Sequence, residues 1–272
     1  MPGQGKKIVV ALLACAALVG PAAATAEASP EPPRYILGGE PADFSQWPFA
    51  AAILQSGRFH CSGSVLDANH VLTAGHCAVG INVGKLRVVT GRPDLRDPSV
   101  GQVHAVAAKF VSSPPLRHDL SILRLATPTS APPVALATPG EDFTATAPRL
   151  PLRVAGWGAT TIFHRKLPGF LKSTNLAVRP KRKCFAVYGK SFMGVSMICA
   201  QGARLKKGRY APRTSPCGGD SGGPLVADTP GGPRLVGTVS FGPGICGLAF
   251  SPVVFARVAD DLDFIAAAVS AP

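Results

Sequence analysis

The chain has 272 residues, of which 16% are charged, with 30 Gly, 27 Pro and a formal net charge of +13. That length admits one large domain or two small ones, and the density of turn formers between short apolar runs argues for an all-β chain able to bury a sizeable core. Beyond the N-terminal segment no apolar run is long enough for a transmembrane helix, and no nucleic-acid motif accompanies the positive charge.

Residues 1–26 read as a secretory signal peptide: Lys6 and Lys7, an apolar run from Ile8 to Val19, then an A-x-A site at Ala24, Thr25 and Ala26. Cleavage after Ala28 is a near equivalent, and a lipid anchor on Cys15 is a rival with poorly matching neighbours. Residues 27–35 carry three prolines and cannot form a helix or a central strand. They read as an exposed pro-segment.

The body begins at Ile36. Strand candidates run from Phe49 to Leu54, His60 to Leu66, His70 to Thr73, Lys85 to Gly91, His104 to Val111 and Leu120 to Leu125. A Pro-rich stretch from Ala126 to Pro148 reads as a crossover. A second group follows: Leu152 to Gly158, Leu171 to Val178, Met197 to Ala200, Gly223 to Ala227, Arg234 to Gly242 and Val253 to Val258. Acids in the first turn and alanines after them predict a helix over about 260–269. Two groups of about six strands fit two barrels or two sandwiches in series.

Seven cysteines are present, and Cys15 leaves with the signal. The remaining six are an even number in an exported chain and read as three disulfides, with fifteen pairings open. None is spaced C-x-x-C, so zinc is not expected; the loop after Val89 lacks an acidic cluster, so calcium is not expected either. From Ile36 onward 25 Lys and Arg face 13 Asp and Glu. The excess gathers in His164 to Lys166, Arg179 to Lys183 and Arg204 to Arg213. Solubilising loops are the plain reading; a polyanion-binding surface is the sharper one.

A serine hydroxyl needs a base in hydrogen-bond reach, and the base needs a third group to orient it. LTAGHC supplies His76, HDLSIL supplies Asp119 and PCGGDSGGP supplies Ser221. Together with AGWG (Ala155 to Gly158) and VSFG (Val239 to Gly242), these motifs resemble the chymotrypsin-like, or trypsin-fold, serine peptidases over Ile36 to about Val269. The resemblance implies an all-β fold of two six-stranded β-barrels, about 36–140 and about 141–258, with the active site in the cleft between them. It implies an endopeptidase on protein or peptide substrates that needs no cofactor; the signal peptide makes it secreted, and a monomer is expected.

The resemblance also assigns roles. Ser221 is the nucleophile, His76 the general base and acid, and Asp119 the group that orients the imidazole. The amides of Gly219 and Ser221 form the oxyanion hole. Ser240 and Gly242 bind the substrate main chain. Cys61 pairs with Cys77, Cys184 with Cys199 and Cys217 with Cys246. Release of Ile36 would let its new amine pair with Asp220, and PRYILGG puts the required cut after Tyr35. Ser215 would lie at the base of the specificity pocket, where a cation-selective relative carries Asp. Val253, where many relatives have glycine, would make that pocket shallow. The implied preference is for Ala, Val, Leu or Met before the scissile bond. The alternative is a catalytically silent relative that binds polyanions or partners through its basic surface.

Overall fold

The computed structural model describes residues 1, 3, 36–112, 117–161 and 169–272. The signal and pro-segment expectations, and the basic cluster from His164 to Lys166, lie outside the described residues. The chain divides into two units, Met1–Pro32 and Pro33–Pro272. Only Met1 and Gly3 of the first are described, and the architecture is that of the second.

A short strand β1 (Glu40–Pro41) precedes β2 (Ala50–Gln55), β3 (Arg58–Val65), β4 (His70–Thr73), β5 (Leu86–Thr90), β6 (Gln102–Val111) and β7 (Ser121–Leu125). The last six close a barrel in the order β2-β3-β4-β7-β6-β5. After β8 (Ala135–Leu136) and helix α1 (Pro139–Ala145) come β9 (Pro151–Gly156), β10 (Lys172–Val178), α2 (Lys181–Tyr188), β11 (Met197–Gly202), β12 (Pro224–Thr229), β13 (Gly232–Phe241), β14 (Val253–Arg257) and α3 (Leu262–Ser270). Here β10-β11-β14-β13-β12-β9 closes the second barrel through the β9–β10 pairing, while β1 and β8 attach to β10 and β13. Each of the twelve strand candidates is a strand, and barrels replace the sandwich alternative.

Closure follows from the side-chain pattern. Ile53, Val71, Leu72, Val88 and Ile122 fill the first barrel; Val154, Leu176, Ile198, Val236 and Phe255 fill the second. A closed ring leaves no strand edge to be solvated. The two barrels are tied where the site lies: Ser62 N–H donates to Ser221 O at 2.8 Å, and Trp157 Nε1 donates to Pro93 O at 3.0 Å. Helix α3 returns to the first barrel, where Ile265 and Ala268 join its core and Arg124 donates to Ala271 O.

Two helices depart from the sequence reading. The Pro-rich crossover contains α1, nucleated by Pro139 in its first turn and a reciprocal capping box between Thr138 and Glu141. The cations from Lys181 to Lys183 sit on α2 rather than on a loop. Among the described residues no helix is long and apolar enough to cross a membrane.

Candidate active site

Strand β4 ends at Thr73, paired with Ser121 at the start of β7. A short 3-10 turn, Gly75–Cys77, carries His76 past that end, and Asp119 lies two residues before Ser121. The strand register therefore brings His76 and Asp119 together. The Cys61–Cys77 disulfide fastens this turn to β3. A Cβ on Gly75 would lie 3.1 Å from Asp119 Oδ1 and 3.2 Å from the Leu120 backbone, so a side chain there would make these neighbours give by a few tenths of an ångström.

Asp119 is buried and fully engaged. Its Oδ1 accepts from His76 N–H at 2.8 Å, and its Oδ2 lies 2.8 Å from His76 Nδ1. Ser240 Oγ, on β13 of the other barrel, donates to Oδ2 at 2.5 Å. Burial pushes the Asp119 carboxyl pKa up, but the hydrogen bond and charge of His76, the Ser240 hydroxyl and the His76 amide outweigh it and hold it below the usual range. An ionised carboxylate can only accept, so in a neutral imidazole Nδ1 carries the proton and Nε2 has the free lone pair. The imidazole is 38% exposed on its side chain, open to a substrate, against 5% for Asp119.

Ser221 sits in a turn that glycine makes possible. Gly219 has φ +94° and Gly222 φ +76°, conformations that side chains disfavour. A Cβ on Gly222 would lie 2.1 Å from Thr73 Oγ1 and 2.7 Å from Ala74 N. The serine turn is thus pressed against the segment that leads to His76. The Gly218 carbonyl accepts from Ala159 N–H at 2.7 Å. A trans peptide points its C=O and N–H oppositely, so Gly219 N–H faces away from Ala159. Ser62 Oγ donates to Gly219 O at 3.2 Å and fixes the next peptide. Among the described residues no hydrogen bond joins Ser221 to His76; such bonds are commonly loose before substrate binds.

Asp220 is fully buried and accepts from Gly158 N–H and Cys217 N–H, each at 2.8 Å. Burial pushes its pKa up to about 7 against the pull of those two amides. Ile36 is also buried, with φ +42°. Its nitrogen is in a peptide bond in the continuous chain, so no ammonium reaches Asp220.

Ser221, Val239, Ser240, Gly242 and Val253 line a cavity of about 170 Å³, with Cys217 and Cys246, a disulfide pair, in its wall. A Cβ on Gly242 would lie 3.6 Å from Val253 Cγ2, so the valine faces the glycine across the cavity. Ser215 lies next to this cavity rather than among its lining residues. It lines a separate tight space. Its Oγ donates to Pro216 O and its N–H to Leu37 O. Val253 is common to the two linings.

Sequence reading missed the opposite wall. A groove of about 660 Å³ opens beside His76, lined also by Arg117, Lys190, Met193 and Phe241. Phe241 is held edge-on by Tyr188 at 5.4 Å, whose hydroxyl donates to Pro252 O. The third disulfide, Cys184–Cys199, anchors α2 to β11 behind it. No local motif marks Lys190 or Ser62; only the folded chain brings them to the site. Among the described residues His60, Cys61 and Cys77 form a metal-sized grouping, but both sulfurs are in the disulfide and neither can be a thiolate ligand.

A family model described as Trypsin matches residues 36–265. The chain is 30% identical to a trypsin of Saccharopolyspora erythraea over 87% of this chain and 99% of that one. It is 31% identical to trypsin epsilon of Drosophila erecta, over 82% of this chain and 83% of that one. It is also 31% identical to phenoloxidase-activating factor 3 of Holotrichia diomphalia, over 85% of this chain and 71% of the relative. With two closed barrels, three disulfides and this arrangement of His76, Asp119 and Ser221, the chain belongs to the trypsin family, the chymotrypsin-like serine peptidases.

Proposed function

We propose that this chain is a secreted serine endopeptidase that hydrolyses peptide bonds through Ser221, His76 and Asp119. The observation that carries the reading is the hydrogen-bonded line Ser240–Asp119–His76, which leaves Nε2 as a base. Ser221 Oγ attacks the carbonyl carbon while Nε2 takes its proton. The amides of Gly219 and Ser221 stabilise the oxyanion. His76 then gives the proton to the leaving amine, and water repeats the sequence on the acyl-enzyme. All three groups come from one chain, so the monomer is competent.

The small cavity lined by Val253 favours Ala, Val, Leu or Met before the scissile bond, and Ser240 and Gly242 pair with the substrate backbone. Residues 1–26 direct export. A cut after Tyr35 frees the Ile36 amine, which enters beside Asp220. A free α-amine has a pKa of about 7.7–8.0, and pairing raises it. The stabilisation is full below the unpaired value and fades as pH climbs through the raised one. Activity is therefore expected to fall at strongly alkaline pH.

The test is an organophosphate probe combined with N-terminal sequencing. Protein starting at Ile36 should take one label on Ser221, and both the Ser221→Ala variant and the uncut chain should take none. Processed protein that starts at Ile36, takes no label and cuts no peptide would point instead to a silent relative.

A further inference from the structure

Between Asp142 and Asp220 the chain contains no acid at all, yet residues 143–219 carry 15 Lys and Arg. One of them, Lys190, follows α2 and stands exposed on the wall of the groove beside His76. Arg117, also exposed, stands in the same groove from the first barrel. Neither cation has a carboxylate within ion-pair distance among the described residues. The single carboxylate in the lining is Asp119, buried and already bound by His76 and Ser240. Asp261 is directed at the neighbouring His118, with Oδ1 2.9 Å from its Nδ1, and makes no ion pair with Arg117.

Two unneutralised cations in one concavity focus a positive potential where a ligand would lie. The direction of the substrate tells which part meets them. The groove and the small cavity share Ser240 and Phe241. A substrate that fills the Val253 cavity and runs along Ser240–Gly242 carries its preceding residues across Phe241 and into the groove.

We propose, resting on the peptidase reading above, that this enzyme selects peptides with Asp or Glu two to four residues before the scissile bond, read by Arg117 and Lys190. The arginine offers a fork that matches a carboxylate in two-point contact, and the lysine a mobile point charge. Exposed pairs are individually weak, about 0.2–1 kcal/mol. Two acting on one peptide give about a 10-fold preference at low salt, shrinking as salt screens it.

The experiment compares two peptides that are identical except for Glu or Gln at those positions, with the same small apolar residue before the cut. Cleavage is measured with processed enzyme. Binding is measured with the Ser221→Ala variant, which keeps the groove whether or not Ser221 is the nucleophile. The expected result is a Glu-to-Gln ratio of about 10 in both assays. It should drop to about one in the Arg117→Ala/Lys190→Ala double variant and fall below one with Lys190→Glu. Equal binding of the two peptides overturns the proposal even if both are cut. So does a ratio that falls as far with Lys206→Ala/Lys207→Ala, cations outside the groove. A Glu preference in binding with no cleavage of either peptide by protein starting at Ile36 supports the groove assignment and sinks the peptidase reading alone.

Discussion

Residues 36–142 carry 8 Lys and Arg against 8 Asp and Glu; residues 143–272 carry 17 against 5. The whole positive excess of the body therefore belongs to its second half. The first barrel contributes His76 and Asp119 from the ends of two paired strands, locked by a disulfide and by backbone hydrogen bonds. The second contributes the Ser221 turn, both walls of the small cavity, and Lys190 in the groove. On the proposed reading the first half holds a fixed proton-transfer pair, and the second holds the Ser221 turn together with most of the surface that would meet a substrate, Arg117 being the first half's addition to it. If that division is right, substitutions of the proton-transfer pair should lower the rate for every substrate. Substitutions in the walls of the cavity and the groove should instead change which substrate is favoured.

The largest effect tests the fixed pair. Asp119→Asn keeps the shape but offers an amide that cannot hold His76 in the Nδ1–H tautomer as a carboxylate does. The expected loss in kcat is about 10⁴-fold, the magnitude known for this family's equivalent change. The loss should be equal for every peptide tested, and the melting temperature should change little. A loss that depends on the peptide would break the division.

Next comes Asp220, the one acid of the long basic stretch's end, buried without an ammonium in the continuous chain. With its pKa pushed up to about 7, the folded precursor holds a proton that the unfolded chain gives up near its ordinary value. Precursor stability should therefore fall as pH rises from about 4 to 7 and stay low above that, by on the order of 4 kcal/mol. A chain that starts at Ile36 brings the compensating charge and should lack this fall. Asp261, whose pKa burial raises to about 6, and Asp142, raised in the same direction, contribute alike in both forms. The difference between the two melting curves isolates Asp220. Thermal melts of Ser221→Ala precursor and processed protein across that pH range provide the check, and parallel curves would remove the switch.

Much of this was legible before folding, for stated reasons. The twelve barrel strands announce themselves because each is a short apolar run bounded by Gly, Pro, Asn or Asp. Gly219 and Gly222 stand out because several glycines in one motif signal a backbone no side chain allows. Helix α1 is also legible, in Thr138-Pro139-Gly140-Glu141, although the prolines around it favour a crossover reading. Helix α2 has no side-chain cap and an N-cap at Pro180; tertiary packing and the Cys184–Cys199 link define it. Ser215 is placed by an isolated bridge to Leu37, a long-range pairing that local pattern does not encode.

A smaller rate effect tests the serine turn. Gly219→Ala places a side chain at φ +94°, so the peptide must turn and the amide leaves its direction. Loss of one oxyanion donor corresponds to about 10²- to 10³-fold in kcat. KM should hold, since the donor acts on the charged intermediate rather than on the bound carbonyl. A rise in KM with kcat intact would mean that Gly219 shapes binding and not the oxyanion site.

The smallest effect is the most telling for the second half. Val253→Gly removes a wall of a cavity of about 170 Å³ and joins it to the space at Ser215. A methylene in an apolar pocket is worth about 1–3 kcal/mol in discrimination. The Phe-to-Ala ratio in kcat/KM should therefore rise about 10- to 100-fold. Val253 also packs with Leu176 and Ile198 in the second core, so the variant should melt earlier. That loss of folded protein scales both rates equally and cancels in the ratio. The Glu-to-Gln ratio read by Arg117 and Lys190 should stay put, because Val253 does not line their groove. If both ratios moved together, cavity and groove would be one coupled surface rather than two independent readers.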